Sequence, residues 1–140
     1  MNNTQKILNW IMTTLRESAW APVGVILFYL IGLAFGWYDT FPPLDIPTHF
    51  MGGVAITYFY RCAIRNSQKY LGEIPPLIQI LLALTATGTT TIFWEFYEYF
   101  LDSSFGAHNI RGVDDTIADF ITGLSGALVL SLFYRKRSSP

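Results

Sequence analysis

At 140 residues the chain has the size of one domain, and 16% aromatic content without a glycine period excludes disordered and collagen-like classes. Charged residues are 14% and hydrophobic residues 51%, with a mean hydropathy of +0.35, so much of the surface cannot face water. Nine Lys and Arg against ten Asp and Glu give a net charge of −1, which excludes a nucleic-acid-scale basic field, and the single cysteine, Cys62, excludes an internal disulfide or a cysteine zinc site.

A small integral membrane protein of all-α class fits these bounds. The expected architecture is a four-helix transmembrane bundle preceded by an N-terminal amphipathic interfacial helix. It divides the chain into an arm (1–19), a four-span domain (20–134) and a basic tail (135–140). In the arm, Ile7, Leu8, Ile11, Met12 and Leu15 recur at helical spacing, and Lys6, Asn9, Thr13, Arg16 and Glu17 form the opposite stripe. With Trp10 beside its apolar face, this helix lies in the membrane interface or docks on the bundle.

Crossing a hydrocarbon core of about 30 Å takes roughly 20 helical residues. The first span is 20–37, without a charge. It is longer than the apolar stretch of a signal peptide, and no A-x-A site follows it. The second, 46–64, carries His49 near its start and Arg61 near its end. The third, 77–101, holds Glu95 and Glu98, and the fourth, 116–134, holds Asp119. The connections are short and rich in Pro, Gly and Asp. Eight of the nine Lys and Arg fall in the arm, the second connection with its edge, and the tail; Arg111 alone falls on the other side. Basic loops stay inside. The expectation is therefore a multi-pass inner-membrane protein with both termini cytoplasmic.

That orientation brings ionisable residues to one level. Asp45 and His49 open the second span, Glu95, Glu98 and Asp102 close the third, and Asp114, Asp115 and Asp119 open the fourth. Asp45 and His49 are i, i+4, as are Asp115 and Asp119; Glu95, Glu98 and Asp102 are i, i+3, i+7, so each set shares a face. Small and hydroxylated residues continue these faces: Gly52 and Gly53, Thr87 and Thr91, Thr122, Gly123 and Gly126. Small residues let membrane helices approach closely, so these faces meet each other. The first span, almost without polar side chains, is peripheral or an oligomer contact, for a second copy or another membrane protein.

A charged side chain deep in a membrane helix costs about 2.5–3.5 kcal/mol on insertion scales. The acids must be protonated, paired or wet, and His49, His108 and Arg111 are the positive groups at hand. A divalent metal ion on His49, Glu95, Glu98, Asp115 and Asp119 would balance the charge, with Asp45, Asp102, Arg111 and Asp114 in support. His with carboxylates suits Zn, Mn or Fe(II); carboxylates with water suit Mg or Ca. Blander roles compete: helix caps for Asp45 and Asp114, solvated loop positions for Asp102 and His108, packing and backbone bonding for the threonines of 85–91, and an aromatic belt for Trp94, Tyr97 and Tyr99.

The D-x-x-x-H element at Asp45 and His49, the E-x-x-E element at Glu95 and Glu98, and the D-T-x-x-D element at Asp115, Thr116 and Asp119 with following glycines resemble the YjdF-type family of small bacterial inner-membrane proteins. More distantly the chain resembles the VanZ-like family, departing from it at Glu98 and Tyr99, where that family tends to have a Gln after its Glu. The resemblance covers about residues 20–134. It implies a bacterial or archaeal membrane protein and little about activity. Three functions compete: a metal-dependent enzyme acting on a lipid or lipid-linked group at the outer surface, a proton- or cation-coupled carrier, and a non-catalytic scaffold locked by its polar cluster.

Overall fold

The structure is a computed structural model describing residues 2–107 and 109–137, with side chains through Phe133; His108 and the end of the basic tail lie outside the described residues. Among the described residues every regular element is helical. The helices are α1 (Asn3–Ser18), α2 (Trp20–Ala34), the single turn α3 (Trp37–Thr40), α4 (Asp45–Leu71), α5 (Pro76–Phe105) and α6 (Val113–Arg137), with a 3₁₀ turn at Pro42–Leu44.

The arm is a helix, as its periodicity predicts, and Asn2 starts it with a capping box. Asn2 Oδ1 accepts from the Gln5 amide at 2.8 Å, and Gln5 Oε1 accepts from the Asn2 amide at 3.2 Å. The face bearing Trp10, Thr14, Glu17 and Ser18 docks on the far half of α4, while Lys6, Asn9 and Arg16 of the polar stripe stay exposed. Thr14 and Ser18 are buried, Trp10 Nε1 donates to the Ala63 carbonyl at 2.7 Å, and the Glu17 carboxylate takes Arg65 at 2.8 Å and Asn66 at 3.0 Å. The apolar stripe Ile7, Leu8, Ile11, Met12 and Leu15 points outward and stays exposed.

The first expected span, 20–37, is not one helix. α2 stops after 15 residues, about 22 Å at ~1.5 Å per residue. Gly36 turns the chain there with φ of 64°, a left-handed conformation that glycine adopts without Cβ strain. Hydropathy does not register such a break. α3 then folds Tyr38 back onto Gly32, where a Cβ would stand 2.6 Å from the Tyr38 ring.

Two helices, Pro76–Phe105 and Val113–Phe133, are each long and apolar enough to cross a membrane, and α1 with α2 makes a third if that pair, bent by 56°, counts as one span. α4 has the length, 27 residues, but its His, Arg, Lys and Asn side chains dilute its apolarity.

Packing is inverted relative to a water-soluble protein. Apart from Tyr29 and Tyr38, the buried described positions are small or polar, among them Ala55, Cys62, Ala83 and Ala127, with Thr48, Thr57, Thr87, Thr91 and Ser131. The exposed ones include Leu81, Phe93, Phe96, Phe100, Ile121, Leu128 and Phe133. An apolar surface this extensive marks contact with lipid or other apolar partners, and small buried residues are what close membrane-helix contacts select. α4 is the hub, packed on α1, α2, α5 and α6. It runs beside α6 so tightly that a Cβ on Gly53 would overlap the Gly123 carbonyl, and one on Gly126 the Phe50 carbonyl. Against α5 it is held by hydroxyl pairs, Thr57 to Thr87 at 2.8 Å and Tyr60 to Thr90 at 2.9 Å. The Thr89, Thr90 and Thr91 hydroxyls also donate back along their own helix, to the Thr85, Ala86 and Thr87 carbonyls.

Candidate metal centre

α4 and α6 both begin, and α5 ends, at one end of the molecule. A helix rises about 1.5 Å per residue, so His49, Glu95, Glu98 and Asp119 come to similar depth from three directions. His49 lies between two acids: its Nε2 is 3.4 Å from Asp45 Oδ1, one turn back on α4, and 3.7 Å from Asp119 Oδ1 across the α4–α6 contact. Glu95 and Glu98 reach the same imidazole from α5.

Two groups of side chains result, Asp45–His49–Asp119 and His49–Glu95–Glu98. In each, one ligand-capable atom per residue lies within 4.8 Å of the others. His49 is common to both. These residues are also dry: Glu95, Glu98, Asp119 and His49 are 5%, 4%, 5% and 8% exposed. Trp94 Nε1 donates to Glu98 Oε1 at 3.0 Å, while Glu95 Oε2 is buried with no hydrogen-bond partner among the described residues. A buried carboxylate oxygen left unbonded is costly. Carboxylates with one imidazole at these separations form a donor set able to hold a divalent cation.

The other expected residues stand apart from these groups. Asp115 is half-buried and its Oδ2 accepts from the Arg111 amide at 3.0 Å. The first amides of a helix lack intrahelical acceptors, and the turn entering α6 claims this carboxylate one turn before the cluster. Asp102 closes the α5–α6 connection instead: Oδ1 accepts from the Asn109 backbone and side-chain nitrogens at 2.9 Å each, and Oδ2 from the Ile110 amide at 2.8 Å. Asp114 is exposed in the first turn of α6. Arg111 reaches the Tyr38 carbonyl at 3.5 Å. Asp45, expected only as support, belongs to a ligand group.

Two aromatic residues have roles that hydropathy conceals. Trp94, expected in a belt, bonds Glu98. Tyr29 on α2 is 3% exposed, packs edge-on against Trp94 with ring centroids 4.9 Å apart, and buries its hydroxyl beside Glu98. A lone tyrosine in an apolar run gives no sequence signal for this; its i, i+3 relation to Gly32, which admits Tyr38, is the one local hint. Tyr38 in turn meets Thr48, hydroxyl to hydroxyl, at 3.1 Å.

Neither a curated protein nor a solved structure matches the chain. A family described as predicted membrane protein (DUF2238) matches residues 7–139. That match is consistent with the YjdF-type resemblance and lends the VanZ-like one no support. With nearly its whole length matched, apolar helices and an inverted core, the chain belongs to this predicted membrane-protein family.

Proposed function

We propose that this is a four-span inner-membrane protein, both termini cytoplasmic, whose His49–carboxylate cluster lies on the extracytoplasmic side and holds a divalent metal that acts on a lipid or lipid-linked group. The observation that carries the reading is the Glu95 carboxylate. It is buried, one oxygen is unbonded, and it shares a ligand group with His49 and Glu98. Four acids, Asp45, Glu95, Glu98 and Asp119, face one imidazole. A cation would satisfy the orphaned oxygen and the charge together. Once bound, it would supply Lewis acidity and a water acidified toward neutral pH. The chain's own residues position the ligands: Trp94 fixes Glu98, and the α4–α6 contact fixes Asp119 against His49.

The test is elemental analysis of detergent-purified protein before and after chelation. The wild type should carry Zn, Mn or Fe in simple stoichiometry, and Glu98→Gln should lower the content while the protein stays in the membrane. A metal-free wild type, fully stable in chelator, would make the cluster a structural network; ion flux through vesicles that varies with pH would make it a carrier's relay.

Orientation has its own test. The basic residues of α1, the far half of α4 and the tail gather away from the cluster in sequence order. Reporter fusions at Ser138 should read cytoplasmic, and fusions between Asp102 and Gly112 extracytoplasmic. A cytoplasmic reading at the second site would put the cluster on the other side of the membrane.

A further inference from the structure

We propose that the cleft between α2 and the α4–α5 pair binds a single hydrocarbon chain of a bilayer lipid and delivers its polar head to the His49 cluster. The proposal rests on reading the chain as membrane-embedded and the cluster as its reacting centre.

The cleft is a cavity of about 280 Å³. Val25 and Ile26 of α2, Ile56 and Phe59 of α4, and Trp94 of α5 line it, and His49 belongs to the same lining. An apolar cavity of about 150 Å³ already stays dry and takes benzene; this one is larger and nearly as apolar. Water has few partners along such walls, and a methylene chain gains from burial at about 0.8 kcal/mol per CH₂.

Gly52 makes the connection to His49. It lines the cleft, and a Cβ added there would meet nothing within 4 Å. The adjacent Gly53 is demanded by helix packing; Gly52 is not, and its missing side chain keeps the passage open.

On the other side of Tyr29 lies a second cavity, of about 260 Å³, with a different lining: Asp39, Asp45, Glu98, Asn109 and Arg111, together with Tyr38. Tyr29 lines both cavities. His49 faces the apolar one, while Asp45 and Glu98 face the polar one. His49, Asp45 and Glu98 therefore sit where hydrocarbon lining gives way to a more polar one. An amphiphile with its chain in the first cavity and its head in the second has its head-to-chain junction at the candidate metal ligands. The Tyr29 hydroxyl, buried beside Glu98, is placed at that junction to meet a polar atom of the head.

The experiment uses the full chain in phosphatidylcholine vesicles containing phosphatidic acid with a diazirine in mid-chain. Photolysis should concentrate labels on Ile26, Ile56 and Phe59. Gly52→Leu fills the cleft and should cut those labels about tenfold, the effect of roughly 1.4 kcal/mol. Ile56→Trp, one turn along α4, should do the same and guards against a folding artefact at residue 52. Gly24→Leu fills the neighbouring groove of α2, which includes no ligand residue, and should leave the labels unchanged. Unlabelled phosphatidic acid and an unlabelled polyprenyl phosphate then compete; whichever suppresses the labels at lower mole fraction is the source of the chain. Labels spread evenly over Leu81, Phe93 and Leu128, labels insensitive to both filling variants, or suppression by neither competitor would overturn the proposal. Metal content measured on the same samples separates the two readings. Cleft labelling in a metal-free protein keeps the lipid site and removes the metal, and a metal-loaded protein without cleft labelling does the reverse.

Discussion

Gly53→Leu is expected to abolish accumulation of folded protein in the membrane, whereas Gly52→Leu, one residue earlier, should accumulate at the wild-type level. A Cβ at residue 53 would overlap the Gly123 carbonyl of α6, and the next contact along, Gly126 on the Phe50 carbonyl, is equally close. Both obstacles are backbone, so no rotamer change relieves them. Overpacking a core commonly costs about 1–3 kcal/mol where side chains can yield; here a whole helix must move, against a total stability of roughly 5–15 kcal/mol. The same displacement would carry Asp119 from its 3.7 Å approach to His49, so any surviving protein should also lose the Asp45–His49–Asp119 group. Membrane yield and thermal unfolding in detergent read the first effect, and metal content the second. Wild-type stability in Gly53→Leu would mean that α4 and α6 do not meet at these glycines.

The sequence reveals this site further than it reveals the helices that frame it. The depth of His49, Glu95, Glu98 and Asp119 follows from helical rise and short connections alone, and the glycines at 53, 123 and 126 mark the meeting faces, whereas a Cβ on Gly52 would meet nothing within 4 Å. Periodicity also identifies α1. Hidden are features that depend on a backbone angle or on competition for a proton. Gly36 lies within a continuous apolar run, and hydropathy does not distinguish a left-handed turn from another helical residue. Asp102 and Asp115 have the same chemistry as Asp119, yet the amides of Asn109, Ile110 and Arg111 claim them. The connection that carries those amides is bounded by Gly106 and Gly112 at φ of 66° and 126°, which spacing does not encode. Tyr29 is hidden for another reason: an aromatic in a lipid-facing run reads as apolar until α2 is laid against Trp94.

His49→Ala is expected to have the largest effect on the proposed metal site, because His49 is the one residue common to both ligand groups. Substituting Asp119 or Glu98 leaves one group intact; removing the imidazole breaks both. Losing a partner behind a metal ligand typically weakens affinity by 10–100-fold. Losing the shared ligand should therefore exceed the upper end, about 100-fold. Stability supplies a readout independent of activity. A metal at about 100 times its Kd stabilises a protein by about 2.7 kcal/mol, so chelation should lower the wild-type unfolding temperature and added Zn²⁺ should restore it. His49→Ala should respond to neither, and it should begin less stable than the chelated wild type. Without the imidazole, Asp45 and Asp119 lose the side chain that stands between them in a buried site, and removing one partner of a buried polar group is destabilising. A purely structural network would lose that stability too, but its wild type would ignore both chelator and Zn²⁺. Equal stabilisation of His49→Ala and wild type by Zn²⁺ would place any bound metal elsewhere on the protein.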